Sequence, residues 1–353
     1  PGEKLHEEMI TESDSYATVD LGRYYAILPP WADREAYLRH YQAKPVEPGP
    51  QPEEPELPPA PEAPQADAPK ASDIRALRWL APGADKTKFL TSMPASCEKQ
   101  TTGSEKDQRL LGKLAFESPA LLGGAAARMG LSCSSCHLNG RGNPDFFLES
   151  VSDGPGTADV TSSLLSKVRG DGTFNPVAIP DIALRDGKQI RDRTGPEFRT
   201  KVRGLVVEEF DGQEPPAEVF DALIAYLDSL DPGSCANGEV AVDVDQDLIA
   251  AETAYRIAQA SEWSADVRTF YLRVARSRLE RIHERLPEAG ESGLRQELVK
   301  LSADFGRLAE SIRTSQASEF PDPRWRSLQA RLHNSANQSY YNPDVLRRAL
   351  SIP

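Results

Sequence analysis

The sequence predicts an all-α fold: a helical module with long loops, followed by an antiparallel helical hairpin or bundle. Three observations carry this. Val267, Phe270, Tyr271, Val274, Ile282 and Leu286 recur at helical spacing behind a capping residue, Ser264. Leu294, Leu298, Leu301, Phe305, Leu308 and Ile312 then alternate steps of four and three, which is a heptad seam. Upstream, Phe220, Leu223, Ile224 and Leu227 occupy one helical face at i, i+3, i+4 and i+7.

Taken in order, the chain divides into four regions. Residues 1–44 are polar around one aromatic stretch, Tyr24 to Trp31, with a short helix expected over 33–42; this segment reads as a partner-binding or anchoring arm. Residues 45–70 are a linker, with ten prolines between 45 and 69, a composition that favours extended polyproline structure over a packed core. Residues 71–237 are rich in Gly and Pro turns, with helical patterns at both ends. Residues 238–353 read as helical throughout: a helix near 246–260, the two stripes above separated by Pro287 and Gly290, and a helix near 324–334. The heptad stripe fits the core of a bundle; a docking face for a partner helix is the other use of the same pattern.

Composition excludes several classes. There are 54 acidic and 41 basic residues, a net charge of −13, which disfavours a nucleic-acid binder. Residues 1–70 alone carry 14 acids against 6 bases. No apolar run is long enough for a spanning helix, so no transmembrane segment is expected. Four cysteines are too few to scaffold 353 residues. The sequence opens at Pro1 rather than Met, as expected of a processed or trimmed chain, and leaves room for a lipid anchor ahead of it.

The chemistry is concentrated in Cys133-Ser134-Ser135-Cys136-His137. This is the C-x-x-C-H pattern of covalent haem attachment: two thiols add across the vinyl groups, and the adjoining His becomes the proximal iron ligand. The alternatives are weaker. A thioredoxin-like redox pair wants a βαβ setting, and a zinc site wants a second Cys or His pair, whereas residues 138–234 contain neither residue.

Around this motif the sequence resembles a class I c-type cytochrome domain, and more narrowly the bacterial diheme cytochrome c peroxidase-like branch. Leu111-Gly112-Lys113-Leu114-Ala115-Phe116 is similar to that family's amino-terminal helix, where Gly and Phe mark a helix crossing. Phe220-Asp221-Ala222-Leu223-Ile224-Ala225-Tyr226-Leu227 is similar to its carboxy-terminal helix. Phe174 to Pro180, then Leu184-Arg185-Asp186-Gly187, loosely resembles a peroxidase-type stretch. The resemblance spans about residues 98–234 and implies one covalent haem c. It also implies a proline carbonyl accepting from the proximal His Nδ1, with Pro144 the nearer counterpart and Pro155 the next. Arg141 could pair with a propionate, or simply be an exposed charge, and Phe146 and Phe147 would pack near the porphyrin. Crossing terminal helices bring Cys97 and Cys235 close, so a disulfide is expected, contributing roughly 4–5 kcal/mol in a loop-entropy account. Tyr226 reads as a helix-contact residue with its hydroxyl near solvent.

The sequence departs from the family in two ways. It has a single haem motif, and no Met or His within the domain after His137 can serve as the sixth ligand. Candidates from elsewhere are Met93, Met129, His283 and His333, and an unusual ligand such as an Asn, Lys or Tyr is a further alternative. An open iron would instead suit peroxide chemistry, with Glu208 or Glu209 as the distal acid/base group. The expected role is a periplasmic, exported monohaem cytochrome that transfers electrons, tethered to a redox partner or to a respiratory- or photosynthetic-type complex through residues 1–44 and 240–353. The alternatives are a peroxidase-like or ligand-binding haem protein, and an assembly subunit in which the haem is secondary.

Overall fold

A computed structural model describes residues 18–20, 25–27, 44–45, 70–184, 192–287, 292–316 and 319–351. The chain forms two compact units, residues 1–66 and 67–353. The described residues are 58% helix and 5% strand, as an all-α fold requires. In the first unit, strand β1 (Thr18–Asp20) pairs antiparallel with β2 (Tyr25–Ile27) and β3 (Lys44–Pro45). The helix expected over 33–42 lies outside the described residues, as does the Pro-rich linker apart from Pro45 and Lys70.

In the second unit, two short 3-10 turns (Ala71–Asp73 and Arg75–Trp79) lead to α1 (Lys86–Thr91), capped by Asp85, and β4 (Ser92–Pro94). Then come α2 (Ser104–Phe116), α3 (Gly124–Met129) and a single turn, α4 (Cys133–Cys136). Two-residue strands β5 (Thr157–Ala158) and β6 (Val177–Ala178) pair across a long loop. Helix α5 (Pro196–Gly204) runs into a π-helical turn, Leu205–Glu209, ahead of α6 (Ala217–Ser229) and β7 (Glu239–Ala241). Five helices finish the chain: α7 (Val244–Gln259), α8 (Ala265–Glu284), α9 (Ser292–Arg313), α10 (Asp322–Ser335) and α11 (Pro343–Leu350). Asp243, Ser264 and Asn342 cap α7, α8 and α11 by accepting from backbone N–H groups, as local sequence dictates.

Helix α2 crosses α6 at Gly112. A Cβ on Gly112 would lie 1.9 Å from the Ala222 carbonyl oxygen, so only glycine permits the approach. Beside it Phe116 packs on Tyr226, with ring centroids 5.2 Å apart. Tyr226 corrects the expectation of a solvent-facing hydroxyl: it is 0% exposed. The reason is that α6 is covered on two sides, so a second stripe (Val219, Ala222, Tyr226, Leu230) is buried beside the expected one. The disulfide Cys97–Cys235 is formed. Next to it, β4 pairs antiparallel with β7.

One apolar core runs across the boundary expected at 237/238 and joins Leu114, Leu223 and Tyr226 to Leu248, Phe270 and Leu301. All six heptad residues of α9 are buried in that core, which makes the stripe an internal seam and not a docking face. The Tyr271 hydroxyl on α8 donates to the Leu111 carbonyl at 3.2 Å, so α8 is fastened onto α2. A buried ionic cluster reinforces the same junction. Arg278 bridges Glu117 (2.5 Å) and Asp247 (3.1 Å), while Arg281 and the Tyr341 hydroxyl also reach Asp247, at 3.2 and 2.5 Å. Burial alone would push the Asp247 carboxyl up, but Arg281, Arg278 and the Tyr341 hydroxyl outweigh it and hold it below the ordinary aspartate range.

Two outcomes follow. Gly112→Ala lowers unfolding stability by about 2 kcal/mol or more, read as a shift of the denaturant midpoint, because the added methyl overpacks a backbone contact. Asp247→Asn costs about 3–5 kcal/mol, since it leaves buried guanidinium groups without their counter-charge. The native Asp247 pKa lies below its unfolded value of about 3.9. Its contribution is therefore present above that value and is lost as pH falls through the native one. The acid limb of stability against pH becomes shallower in Asp247→Asn.

Candidate functional site

Turn α4 carries Cys133 and Cys136 on one helical turn, with His137 at its C-cap. Ser132 opens the turn by exchanging hydrogen bonds with Ser135, whose hydroxyl accepts from the Ser132 N–H at 3.1 Å. Asn143 closes it. The Asn143 N–H donates to the Cys136 carbonyl at 2.9 Å, and its side-chain amide donates to the Ser135 carbonyl at 2.8 Å. Asn143 is 1% exposed, and nothing in the motif pattern singled it out.

The His137 Nδ1 lies 3.1 Å from the Pro180 carbonyl oxygen. A carbonyl can only accept, so Nδ1 carries the proton and Nε2 keeps its lone pair free to bind a metal. This corrects the assignment to Pro144 or Pro155. Pro144 is exposed, and the carbonyl arrives instead from a segment 43 residues downstream of the histidine. The cause is the β5–β6 pairing. The Ile179 N–H donates to Gly156 and the Ala183 N–H donates to Gly140, so the segment between them is pinned over the histidine. Gly142 leaves room for that approach, since a Cβ there would lie 3.0 Å from the Ile179 oxygen. Arg141 is held by Asp181 at 3.2 Å, and the Asp181 carboxylate also accepts from the Ala183 and Leu184 N–H groups. The Arg141 guanidinium therefore braces the loop that carries Pro180, a role its position in the sequence did not suggest.

Beside the turn lies a second apolar cluster, which meets the main core at Cys133. Trp79, Leu122, Leu131, Phe146, Val151 and Leu165 form its buried centre, and Cys133, Cys136, Met129, Ile179 and Phe210 pack against it. Phe146 is thus at the site, 1% exposed. Both motif thiols are free. Burial pushes Cys133 up to about 12, and burial followed by the neighbouring Cys133 does the same for Cys136. Burial likewise lowers His137 to about 4, against the opposing pull of the Pro180 carbonyl and Asp181. At neutral pH the site therefore presents two protonated thiols and a neutral imidazole. A thioredoxin-like pair needs the reverse, a thiol made acidic. Among the described residues no cluster of three or more His, Cys, Asp or Glu is arranged to hold a bare metal ion.

The remaining candidates are scattered. Met129 shares the cluster with the two thiols. Met93 sits in β4, opposite Val240, and packs on the main core. His283 lies half-buried on α8, its pKa lowered by burial and by Arg295 and Arg75. His333 is bound to Asp245 at 2.7 Å. Glu208 and Glu209 sit in the π-helical turn, where Arg169 pairs with both, at 2.6 and 2.5 Å. Glu209 is buried, its pKa is raised by that burial despite Arg169, and its second oxygen has no hydrogen-bond partner.

Two further features bear on what the site could hold. The Tyr226 hydroxyl is buried without a hydrogen-bond partner and lies within electrostatic reach of Cys133. The donor set is two free thiols and an imidazole with the correct nitrogen open, against an apolar wall. That suits a flat apolar macrocycle with a polar rim.

Iodoacetamide alkylation of Cys133 and Cys136 in the folded protein with both thiols free proceeds at least about 100-fold more slowly at pH 8 than for an unfolded thiol with a pKa of about 8.5, because the thiolate is nearly absent; mass spectrometry of quenched time points reads this directly. The identity of the site rests on its own chemistry, since no family model, curated protein or solved structure matches the chain.

Proposed function

We propose that the chain is a monohaem c-type cytochrome that passes electrons within or to a larger assembly. The observation that carries this reading is the His137–Pro180 hydrogen bond on a C-x-x-C-H turn, which fixes the imidazole tautomer that a haem iron requires. Cys133 and Cys136 would hold the group covalently, and His137 would ligate through Nε2. Once bound, haem c supplies a reversible one-electron couple. The protein's share is positional: the Pro180 carbonyl orients the ring, Asn143 fixes the turn, and the cluster around Trp79 and Phe146 keeps water from one side.

On this reading residues 98–234 form a cytochrome c-like domain and residues 238–353 a helical bundle laid against it. The Cys97–Cys235 disulfide is compatible with an oxidising compartment, and we assign the protein to the periplasm. Among the described residues no helix is long and apolar enough to cross a membrane. The acidic 1–70 segment supports contact with a basic partner surface.

One observation favours a second reading, an open iron with peroxidase-like chemistry. The buried, half-partnered Glu209 adjoins Phe210, which packs on the thiol cluster, so Glu209 is the better placed of the two distal acid/base candidates.

Absorption spectroscopy of protein produced with haem-attachment machinery tests both. The expected result is one haem per chain that survives denaturation, a sharp reduced α-band, and no change with carbon monoxide. Cys133→Ala with Cys136→Ala abolishes the attached haem while the Cys97–Cys235 disulfide still forms. A high-spin spectrum that shifts with carbon monoxide selects the open-iron reading, and absence of covalent haem overturns both.

A further inference from the structure

The Pro180 carbonyl that orients the His137 ring cannot hold its place unaided. Pro180 is exposed, so packing does not fix it, and a proline has no N–H with which to anchor its own peptide. The Ile179 N–H pins the loop before it, and the Ala183 N–H pins the loop after it. Between those pins, the hold comes from the next residue, Asp181, which uses both carboxylate oxygens. Its Oδ1 accepts from the Ala183 and Leu184 N–H groups at 3.0 and 3.3 Å, which closes the loop into a turn. Its Oδ2 accepts from the Arg141 Nε–H at 3.2 Å, which ties that turn to the motif side of the site.

Arg141 is itself fixed to His137. The Gly140 N–H donates to the His137 carbonyl at 3.0 Å and the Arg141 N–H to the Leu138 carbonyl at 2.9 Å, through the 3-10 turn Leu138–Gly140. A closed circuit results: His137, the turn, Arg141, Asp181, Pro180 and back to the imidazole. The Arg141 and Asp181 side chains are 35% and 17% exposed, and pairs so placed add little to global stability. The effect of this pair is therefore local, on where the Pro180 oxygen stands.

We propose that Arg141 and Asp181 are positioning residues that act through one another to hold the Pro180 carbonyl on His137, and so set the imidazole tautomer. With the carbonyl in place, the proton stays on Nδ1 and the Nε2 lone pair is available to iron. With the tie cut, the oxygen drifts, and the neutral ring recovers the Nε2–H form, in which the ligating nitrogen is blocked. The use of this tie for haem rests on the reading above; the tie itself does not. A purely electrostatic role for the pair is distinguishable. Charges of opposite sign bias the tautomers in opposite directions, whereas loss of positioning shifts them the same way whichever partner is removed.

Nitrogen-15 NMR of the folded protein with both thiols free, at neutral pH, reads the two ring nitrogens of His137. The native protein is expected to carry the proton on Nδ1. Asp181→Asn keeps an oxygen for the Ala183 and Leu184 amides but loses the charge that Arg141 pairs with. This variant and Arg141→Gln are each expected to lower the Nδ1–H to Nε2–H ratio about fivefold, the worth of one hydrogen bond. The double variant falls no further than either single one, since both cut the same tie. In protein carrying covalent haem the same variants raise the reduction potential, because an imidazole that loses its acceptor donates less to ferric iron. Four NMR outcomes each overturn the proposal: a native proton on Nε2, an unchanged ratio in a folded single variant, shifts of opposite sign, or additive losses in the double variant. Absence of haem attachment with the expected NMR result overturns the haem reading alone.

Discussion

The α2–α6 crossing at Gly112 sets the positions of the rest of the second unit. Because a single missing methyl lets the two helices touch through backbone, the segments flanking them converge. Cys97 then meets Cys235, and β4 meets β7. The outer surface of α2 is left as a shelf, to which α8 is fastened through Tyr271 and the Arg278–Glu117 pair. The motif turn lies against this frame: Cys133 packs on both apolar clusters, Cys136 on the smaller one, and Ser132, Ser134 and Ser135 line a recess. A side chain at position 112 would strike the Ala222 carbonyl and force the two helices apart, loosening all of these together.

The site's chemistry depends less on the motif's own residues than on what the long loop brings over them. Cysteines and a histidine at fixed spacing could serve several purposes. The carbonyl of Pro180, pinned by two short backbone pairings, selects one of them by fixing where the imidazole proton sits. Burial then keeps the thiols protonated and the ring neutral, which disfavours thiol exchange and leaves a nitrogen lone pair available.

Sequence patterns disclosed those parts of the structure that depend on periodicity. The α8 and α9 stripes, the Ser264 cap, the break near Pro287 and the glycine crossing are all written as side-chain spacing, and each is where it was expected. The proline carbonyl was misplaced because a backbone acceptor has no residue signature; its position depends on two-residue strands too short to leave an alternating pattern. Asn143 was missed for a related reason, since its bonds are to backbone groups. The buried face of Tyr226 was misjudged because one helical stripe predicts one partner, whereas α6 has two. Arg141, open in the sequence to propionate pairing or to plain exposure, is held by Asp181, a partner forty residues away along the chain that no local pattern marks.

The Cys97–Cys235 bond also bears on how this chain transmits force. A pull applied between the first 96 residues and the carboxy-terminal helices passes through one sulfur–sulfur bond and does not travel along the 138-residue path that it spans. Everything on that path, including the motif turn and the loop carrying Pro180, is mechanically in parallel with a covalent strut. The site would keep its geometry while the segments on either side of the bond are held under tension.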